Sequence, residues 1–374
     1  MKVIFTIDSL AQGGTEQSTA ELISQFNEEI QVVVVYFYNS HQLKSTYESI
    51  KCKLYYLDID EKYGFYDAIR KFHQVVLSEK PDVIVSSLYR SLIISRFVCW
   101  WTKVPLIGTF VNERYSAERK SRFKGLSVVK YYLTLLLDRL TAFVPIKIIS
   151  NSYSISVLNG KALGISSEKI KVIYRGRDTC NYPVWDAPIG NGKFVWMSIG
   201  RLIPQKGYEN LLHAFQLLKI KYHHVELRII GEGPLRIELE TLIYKLNLHN
   251  DVILEGNIPL GWQQLYNANA FVLPSISEGF SGALVEALIT GIPIVASDIP
   301  MNLEAISPGK DAYIFLHNDS RDLYDKMVDL MSNYDDACKI GMIMRSRAID
   351  NYDIRKVSHV YAKTIETVVN GKES

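Results

Sequence analysis

Two carboxylates bracket a short turn in the second half of the chain, and their surroundings indicate a ligand site. Glu278 lies in the turn that follows the apolar run 270–273, and Glu286 lies in the helical pattern that comes next. The start of a helix presents unpaired backbone N–H groups and the positive end of the helix dipole. Two acceptors beside such donors suit a ligand with hydroxyl and phosphate groups, such as a nucleotide sugar. A glutamate near a helix start can also serve only to favour the dipole, so this spacing needs further support.

A second pair of charged residues, Arg201 and Lys206, stands in the loop after the apolar run 194–199. The guanidinium offers a planar set of donors and the ammonium a compact, mobile charge. Together they suit a diphosphate on which negative charge develops. Basic residues in a loop are more often solvated surface groups. Here both follow a predicted strand, at the sheet edge where open α/β sheets bind ligands, and this position favours a binding role.

Two glycine-containing turns also follow predicted strands. Gly13-Gly14 allows close approach of a ligand to the backbone, and Thr15 can cap the helix that follows; the alternative is a plain turn with glycine for clearance. The segment Gly231-Glu232-Gly233-Pro234 begins like a dinucleotide-binding fingerprint. Arg236 stands where the third glycine belongs, so it is weak evidence for a cofactor loop.

The elements that must position these residues follow one pattern along nearly the whole chain. Short apolar runs alternate with helical patterns, which is typical of βαβ units and of parallel strands covered on both faces. Thirteen strands are too many for one doubly wound sheet. The sequence therefore predicts an α/β protein with two Rossmann-like, doubly wound domains facing across a cleft, where ligands bind at the carboxyl ends of both sheets. The predicted strands are Lys2–Ile7, Gln31–Tyr36, Lys53–Leu57, Asp82–Ser86, Pro105–Thr109, Lys147–Ser150, Ile170–Tyr174, Phe194–Ile199, Val225–Ile230, Val252–Glu255, Ala270–Leu273, Pro293–Ala296 and Ala312–Phe315.

The domain boundary is predicted from a lapse in periodicity. Residues 178–193 contain two prolines and two glycines, which is typical of a linker. We predict an N-terminal domain over residues 1–180 and a second domain over residues 190–352. Residues 353–374 are expected to form a helix that crosses back to the first domain. The whole segment Ser320–Val369 is predicted to be helical, without a strand.

Composition excludes several classes of protein. A hydrophobic content of 48% with 22% charged residues is typical of a folded, soluble chain of 374 residues. The net charge of +2 lacks the excess of basic residues that is typical of nucleic-acid-binding proteins. Four scattered cysteines without a CxxC pair argue against disulfides or zinc and favour a reducing compartment. No apolar run is long enough for a membrane span and no signal peptide is evident, so a cytoplasmic location is expected.

Taken in order, four motifs resemble those of the family 4 glycosyltransferases (glycosyltransferase group 1), retaining enzymes of the GT-B fold that use activated sugars. They are Gly13-Gly14-Thr15-Glu16, Gly200-Arg201 with Lys206-Gly207, Gly231-Glu232-Gly233-Pro234, and Glu278 with Glu286. The resemblance covers nearly the whole chain. The combination of the Arg201/Lys206 element with the Glu278/Glu286 element is highly specific.

The resemblance implies a role for each matching position. Arg201 and Lys206 would grip the donor diphosphate and support the leaving group, and Glu278 would lie at the transferred sugar; these three are the implied catalytic residues. The implied donor-binding residues are Gly13, Gly14, Phe280, Ser281, Gly282 and Glu286, the last accepting hydrogen bonds from ribose hydroxyls. In this family retention is usually explained by front-face attack, in which the donor phosphate takes the acceptor proton. No enzymatic nucleophile and no cofactor are then required.

The chain departs from the family pattern in two places. Many relatives carry a histidine after the fifth strand, where this chain has Asn112-Glu113-Arg114. We predict that Asn112, Glu113 or Arg114 contacts the acceptor or donor instead, and rank Asn112 first. Near the boundary, Arg175 replaces an asparagine of the family. This substitution bears on donor or acceptor preference and not on the fold.

Two further features are weighed against plainer interpretations. Asp58-Ile59-Asp60 matches the Asp-x-Asp metal motif of a different glycosyltransferase fold, but fold reasoning puts it far from the diphosphate elements, so no metal is predicted. The second feature is a basic segment, residues 114–130, followed by a leucine-rich helix. It either docks on an anionic membrane surface or is a solvated loop before a core helix. In the second case the inward-facing residues would be Leu133, Leu136, Leu137 and Leu140.

These observations predict a retaining, metal-independent hexosyltransferase. It would move a hexose or N-acetylhexosamine from a nucleoside diphosphate sugar, with UDP the expected nucleotide, to a saccharide or lipid-linked acceptor in surface polysaccharide biosynthesis. It would be cytoplasmic, with contact at the inner membrane surface as an open alternative, and would not bind nucleic acid. The alternatives are a nucleotide-sugar epimerase of the same architecture, a non-catalytic nucleotide-sugar-binding protein and an NAD-dependent oxidoreductase. The missing third glycine argues against the last.

Overall fold

The chain divides into two compact units. The computed structural model describes residues 1–50, 52–60, 64–116, 120, 123–188, 192–306 and 312–371. The first unit comprises Met1–Asp178 together with Ile354–Ser374, and the second comprises Thr179–Asp353. Three residues of the predicted linker, 189–191, lie outside the described residues, as do Arg119 and Arg122 of the basic segment.

The first unit is built on a parallel sheet of seven strands with the order β3-β2-β1-β4-β5-β6-β7. In the five inner strands of this sheet nearly all valine and isoleucine side chains are buried, because helices cover both faces, whereas the two edge strands are partly exposed. The strands are β1 (Lys2–Ile7), β2 (Gln31–Tyr36), β3 (Lys53–Tyr56), β4 (Val83–Ser86), β5 (Leu106–Phe110), β6 (Lys147–Ser150) and β7 (Ile170–Val172).

Helices cover both faces of this sheet. Because crossovers between parallel strands are right-handed, the helices before and after the reversal of strand order between β1 and β4 lie on opposite faces. The helices are α1 (Gly14–Ile23), α2 (Lys44–Ser49), α3 (Phe65–Glu79), α4 (Tyr89–Thr102), α5 (Leu126–Thr141) and α6 (Tyr153–Leu163), with α13 (Ile354–Val369) from the chain end. One core layer joins β1 to α1 and to Ile354, Tyr361 and Ile365 of α13. The other joins the sheet to α3 and α4.

The second unit has a parallel sheet of six strands with the order β10-β9-β8-β11-β12-β13. Its main core packs α7 and α11 against alternate residues of β8 and β9. The strands are β8 (Phe194–Ile199), β9 (Val225–Ile230), β10 (Val252–Gly256), β11 (Ala270–Leu273), β12 (Ile294–Ser297) and β13 (Tyr313–Phe315). The helices are α7 (Tyr208–Lys221), α8 (Arg236–Lys245), α9 (Gly282–Thr290), α10 (Pro300–Ala305), α11 (Ser320–Ser332) and α12 (Tyr334–Tyr352).

All thirteen predicted strands are present, and the bounds of β1, β2, β6, β8, β9 and β11 are those predicted. The predicted α/β fold with two doubly wound, Rossmann-like sheets is confirmed. The segment Ser320–Val369 is helical throughout apart from short breaks, as predicted. The predicted linker is anchored, however: Trp185 is buried and its indole Nε1 donates a hydrogen bond to the Ala268 carbonyl, 3.1 Å away.

One interpretation of the leucine-rich helix is wrong. Of the four leucines expected to face a core, Leu133, Leu136 and Leu140 are more than half exposed on α5, and Leu137 is partly buried. The residue of α5 that is buried is Asp138, which pairs with Arg96 of α4. In the described part of the chain, no helix combines the length and the apolar character needed to cross a bilayer.

Candidate active site

The second sheet reverses its strand order between β8 and β11, and the loops after these two strands carry the predicted diphosphate and sugar residues. The helices that follow β8 and β11 leave on opposite faces, which opens a crevice at the carboxyl ends of the strands. Arg201 and Lys206 follow β8, and Glu278 and Glu286 follow β11. Two separate stretches of sequence therefore meet at one edge of the sheet.

Lys206 and Glu278 are in direct contact. The Lys206 ammonium lies 2.5 Å from Glu278 Oε1, and both side chains are largely buried. The hydroxyl of Ser275 donates a second hydrogen bond, of 2.7 Å, to the same Glu278 oxygen. The Glu278 carboxylate is thus held by the Lys206 ammonium from the loop after β8 and by the Ser275 hydroxyl from its own loop after β11.

Backbone contacts hold these two loops together. The N–H of Ile276 donates to the Gln205 carbonyl at 2.8 Å. Gly207 has a positive φ of 67°, and a Cβ at this position would lie 2.1 Å from the Pro274 carbonyl oxygen. Only glycine permits this approach, so Gly207 sets the position of Lys206 relative to the Glu278 loop.

The loop with Arg201 is shaped by the turn after β9. Gly231 has a φ of 145°, and a Cβ there would lie 2.0 Å from the Gly200 carbonyl oxygen. The Leu202 N–H also donates to the Glu232 carbonyl at 3.0 Å. The Gly231 turn therefore supports the phosphate loop by close packing. The Arg201 side chain is exposed and, within the described residues, makes no hydrogen bond or ion pair.

The turn before α9 presents the third part of the site. Ser281 caps the helix, its hydroxyl accepting a hydrogen bond of 3.4 Å from the Leu284 N–H. Phe280 is buried and packs 5.6 Å, between ring centroids, from Tyr352. Gly282 begins the helix, and Glu286 lies in its second turn with about 9% of its surface exposed. Arg201 and Glu286 thus follow strands that end at the same sheet edge as the Lys206–Glu278 pair.

A chain of buried polar residues, not predicted from the sequence, lies behind Glu278. The Asn302 amide donates to the carbonyl and hydroxyl of Ser297 at 3.1 Å and 3.0 Å. The Ser297 hydroxyl in turn donates to the Ser275 carbonyl at 2.5 Å. All three residues are fully buried. The sequence carries one indication of this chain: a serine stands at or just after the carboxyl end of each of the strands β11 and β12.

The corresponding point of the first sheet, between β1 and β4, is arranged differently. Asp8 follows β1, and its Oδ1 accepts a hydrogen bond of 2.8 Å from the Ser91 N–H in the first turn of α4. Burial raises the pKa of Asp8, although the Ser91 hydrogen bonds and the charges of Arg90 and Arg114 act in the opposite direction. The chain's own carboxylate therefore occupies the helix start that could otherwise bind a phosphate.

Gly13 and Gly14 lie at the start of α1 in the first unit. Gly13 is the residue before the helix, and Thr15 lies within its first turn, so the prediction that Thr15 caps the helix is wrong. Arg175 reaches this turn, since a Cβ at Gly14 would lie 3.2 Å from its Nη1. The arginine that departs from the family pattern thus brings a positive charge beside the glycine pair.

The predicted acceptor residues lie in the loop after β5. The Asn112 carbonyl accepts a hydrogen bond of 3.0 Å from the Asn159 amide. Glu113 is buried and its Oε1 accepts a hydrogen bond of 2.9 Å from the Ser116 hydroxyl. The guanidinium carbon of Arg114 lies 3.3 Å from the centre of the Tyr89 ring. Asn112 and Arg114 are thus more available to a ligand than Glu113.

Two buried polar atoms, which the sequence did not single out, line a cavity near Gly14. The Thr109 hydroxyl and the Asn151 side-chain carbonyl are buried and have no hydrogen-bond partner in the part of the chain that the structure describes. Both residues line the same cavity as Thr15 and Arg175. Buried polar atoms without partners carry a desolvation cost, so water or a ligand is expected there.

The Asp58–Asp60 segment follows β3 in the first unit, whereas Lys206 belongs to the second. The Asp58 carboxylate accepts a hydrogen bond of 2.9 Å from the Tyr56 hydroxyl. Across the described ranges, no group of three histidine, cysteine or acidic side chains is placed to bind a metal ion.

Two family models match adjoining parts of the chain. The model described as "Glycosyltransferase Family 4" matches residues 12–180, and the model described as "Glycosyl transferases group 1" matches residues 185–348. Together they cover the segments that carry the four motifs.

Curated proteins similar to this chain include bacterial and archaeal glycosyltransferases. The chain is 22% identical to the capsular polysaccharide biosynthesis glycosyltransferase CapM of Staphylococcus aureus, over 78% of this chain and 77% of CapM. It is 30% identical to the N-acetylgalactosamine-N,N'-diacetylbacillosaminyl-diphospho-undecaprenol 4-alpha-N-acetylgalactosaminyltransferase of Campylobacter jejuni, over 48% of this chain and 47% of that protein. An uncharacterised glycosyltransferase of Methanocaldococcus jannaschii is 34% identical over 41% of this chain, which matches only 34% of that protein's length.

Among solved structures, Anabaena HepE in complex with UDP and glucose has the same fold. The TM-score is 0.84 at 20% sequence identity, covering 98% of this chain and 100% of that one.

Proposed function

The chain belongs to family 4 of the glycosyltransferases, with the GT-B fold, and we propose that it transfers a sugar from a nucleoside diphosphate donor. The sugar is a hexose or N-acetylhexosamine, the nucleotide is UDP, and the acceptor is a saccharide or a lipid-linked acceptor. The setting is surface polysaccharide biosynthesis, the context in the name of CapM. HepE bound to UDP and glucose supports the choice of nucleotide, and the undecaprenol-linked name of the Campylobacter relative supports the lipid-linked alternative.

The observation that carries this proposal is the Lys206–Glu278 contact at the point where the second sheet reverses its strand order. Two charged residues separated by 72 positions in sequence meet there at 2.5 Å. Open α/β sheets bind ligands at this point. The first sheet has its own Asp8 carboxylate at the equivalent helix start, so the second unit is the better place for a diphosphate.

The chemistry follows from the charges. When the bond between the sugar and the diphosphate breaks, negative charge grows on the phosphate oxygens. Lys206, held in place by Glu278, and the exposed guanidinium of Arg201 stabilise that charge more in the transition state than in the bound donor. Glu278 then accepts hydrogen bonds from the transferred sugar, and Glu286 from the ribose. Phe280, Ser281 and Gly282 offer backbone N–H groups at the start of α9.

The first unit supplies the acceptor side of the proposal. Asn112 and Arg114 lie in the loop after β5, and the unsatisfied oxygens of Thr109 and Asn151 line the cavity beside Arg175. Donor contacts from Gly13 and Gly14 remain a prediction. We also propose that the configuration at the anomeric carbon is retained and that no metal ion is needed, since Arg201 and Lys206 provide the positive charge.

The test is a donor screen followed by transfer. Thermal shift with UDP-, GDP- and ADP-sugars identifies the nucleotide, because a ligand that binds only the folded chain raises Tm. The donor that binds is then incubated with saccharide and lipid-linked acceptors, with and without EDTA. NMR of the product gives the anomeric configuration. Failure of every nucleotide sugar to raise Tm would contradict the proposal.

The same assay separates the alternatives. An epimerase converts the donor sugar without an acceptor, and a non-catalytic binding protein raises Tm without turnover. An oxidoreductase changes the absorbance of nicotinamide, and the packing role of Gly231 against Gly200 argues against such a cofactor.

A further inference from the structure

The helix α5 has an unusual distribution of side chains. Over its 16 residues the buried position is Asp138, an acid, whereas four of its six leucines are exposed to solvent. Leu126, Leu133, Leu136 and Leu140 are 89%, 62%, 52% and 64% exposed. With Val129 and, just beyond the helix, Phe143, they recur every three or four residues and form one continuous strip, called here the α5 strip.

The orientation of α5 is fixed from its inner side. Arg96 of α4, which is fully buried, pairs with the Asp138 carboxylate and also donates hydrogen bonds of 3.0 Å to the Asp138 carbonyl and the Thr141 hydroxyl. The Tyr115 hydroxyl donates to the other Asp138 oxygen. Turning the leucines inward would break this buried ion pair and leave the Arg96 charge buried without its partner, which is strongly destabilising. The α5 strip therefore stays exposed in the isolated chain.

Positive charge flanks the α5 strip on both sides. At 100° per residue, Lys130 lies on one side of the strip and Arg139 on the other, and both are exposed. The Lys120 ammonium lies 5.2 Å from the ring of Tyr132, another exposed residue of the helix. The one acidic residue within Leu126–Thr141 is the buried Asp138. An apolar strip with basic flanks complements an anionic surface over an apolar interior.

The neighbouring helices add to this surface layer. Because β4, β5, β6 and β7 follow one another across the sheet, α4, α5 and α6 lie on the same face of it. Near its end α4 carries Trp100 and Trp101, which are 51% and 59% exposed. Tryptophan is enriched where a protein meets the boundary between lipid and water.

From these observations we propose that the α5 strip docks the first unit on the surface of an anionic phospholipid bilayer. The helix lies in the plane of the interface, since its 16 residues extend only about 24 Å and are too few to cross the hydrocarbon core. Self-association explains the charges less well. In an antiparallel pair of α5 helices, each basic flank of one copy would meet the same flank of the other, Lys130 beside Lys130 and Arg139 beside Arg139, without an exposed acid on either helix to neutralise them.

Docking would have a consequence for the acceptor, and this step rests on the proposed function. The Tyr89 hydroxyl donates to the Thr134 carbonyl of α5 at 3.3 Å, and Arg114 of the acceptor loop lies on the Tyr89 ring. A bilayer against the α5 strip would therefore be separated from Arg114 only by α5 itself and the Tyr89 side chain. A lipid-linked acceptor could reach them without leaving the membrane.

The experiment is co-sedimentation of the full chain with two kinds of vesicle, phosphatidylcholine alone and an equal mixture of phosphatidylcholine and phosphatidylglycerol. The wild-type chain is expected to pellet with the mixed vesicles and at least about tenfold less with the neutral ones. A double variant, Leu133→Gln with Leu136→Gln, should weaken binding to mixed vesicles by about tenfold or more, because it removes apolar surface from the contact. Its Tm should not change, because both side chains are exposed.

The matched control is Ile220→Gln with Ile237→Gln, two residues of the second unit that are 72% and 75% exposed. This variant should pellet like the wild type. Light scattering without vesicles tests self-association: a dimer that the leucine variant abolishes would overturn the proposal, as would equal sedimentation of wild type and leucine variant. Donor-induced shifts in Tm, measured on the same variants, should be unaffected, so failure of docking remains distinct from failure of the proposed transferase function.

Discussion

At the scale of single residues, the Lys206–Glu278 pair fixes the position of a positive charge in the site. The ammonium is not free in solvent but is held 2.5 Å from a carboxylate that a buried serine also contacts. A lysine side chain loses rotamer freedom when it binds a phosphate. Here part of that loss has already occurred in the folded chain, so the charge is in place before the donor arrives.

Removing either the side chain proposed to bind the phosphate or the one proposed to bind the ribose should therefore abolish most of the transferase activity. We expect Lys206→Ala and Glu286→Ala each to lower kcat/KM for transfer by about a hundredfold or more, the size of effect seen when one preorganised charge or donor is lost. Initial rates at several donor concentrations give the measurement.

The control is Lys339→Ala, which removes a lysine whose side chain is 73% exposed in the same unit. It should leave kcat/KM within about twofold of the wild type, and circular dichroism should show all three variants folded. Full activity of Lys206→Ala or Glu286→Ala would refute its assigned role.

Ser275 should act through Glu278 rather than on the substrate. Ser275→Ala removes one hydrogen bond to the carboxylate but leaves the ion pair with Lys206, so a milder loss in kcat of about three- to tenfold is expected. Ser275→Thr, which keeps a hydroxyl, should restore part of the rate if the wider side chain fits. A loss as large as that of Lys206→Ala would show that Ser275 has a direct role.

At the scale of elements, a contact between the end of α3 and the first sheet depends on pH. The Glu79 carboxylate accepts hydrogen bonds from Lys53 and Tyr55, and these lower its pKa to about 2. The folded pKa lies below the unfolded value, so the stabilisation is complete above the unfolded pKa and disappears as the pH falls towards 2. We expect Glu79→Gln to have a lower Tm than the wild type at pH 6.

The difference in Tm between the two proteins should shrink as the pH is lowered from about 5 to about 3, because the wild type alone loses this contribution. Differential scanning calorimetry across that range provides the measurement. The control is Glu48→Gln, which removes an exposed ion pair with Lys44 on α2. Its difference in Tm from the wild type should be small and should change little with pH. A constant difference for Glu79→Gln would rule out titration of this carboxylate as the cause.

How far the sequence predicts the structure differs between elements. The alternation of apolar runs and helical patterns predicts every strand, because parallel strands buried on both faces leave a strong signal. The same rule misplaces the leucines of α5, since it assumes that an apolar helix face is turned towards a core. The buried Arg96–Asp138 pair reverses that orientation, and no pattern within α5 reveals a partner on α4.

In the candidate site, too, the sequence predicts some residues and not others. Arg201, Lys206, Glu278 and Glu286 are recognisable because charged residues stand at fixed spacings after strands. Ser275, Ser297 and Asn302 are not, because small polar residues are common in loops and their contacts depend on β11 and β12 being neighbours. Thr109 and Asn151 stand out only when the structure shows their oxygens buried without partners.

At the scale of the whole molecule, the chain end completes the core of the first unit. Ile365 of α13 is fully buried against β1 and α1, although more than 300 residues separate them in sequence. Ile365→Ala should cost about 2–5 kcal/mol of unfolding free energy, the range for truncating a large core residue. Met327→Ala in α11, fully buried in the second unit, makes a matched change of similar size.

If the units are separate cooperative structures, hydrogen exchange should distinguish the two variants. Ile365→Ala should lower amide protection in Met1–Asp178 and Met327→Ala in Thr179–Asp353, each leaving the other unit nearly unchanged. Loss of protection across both units in either variant would show instead that they unfold as one.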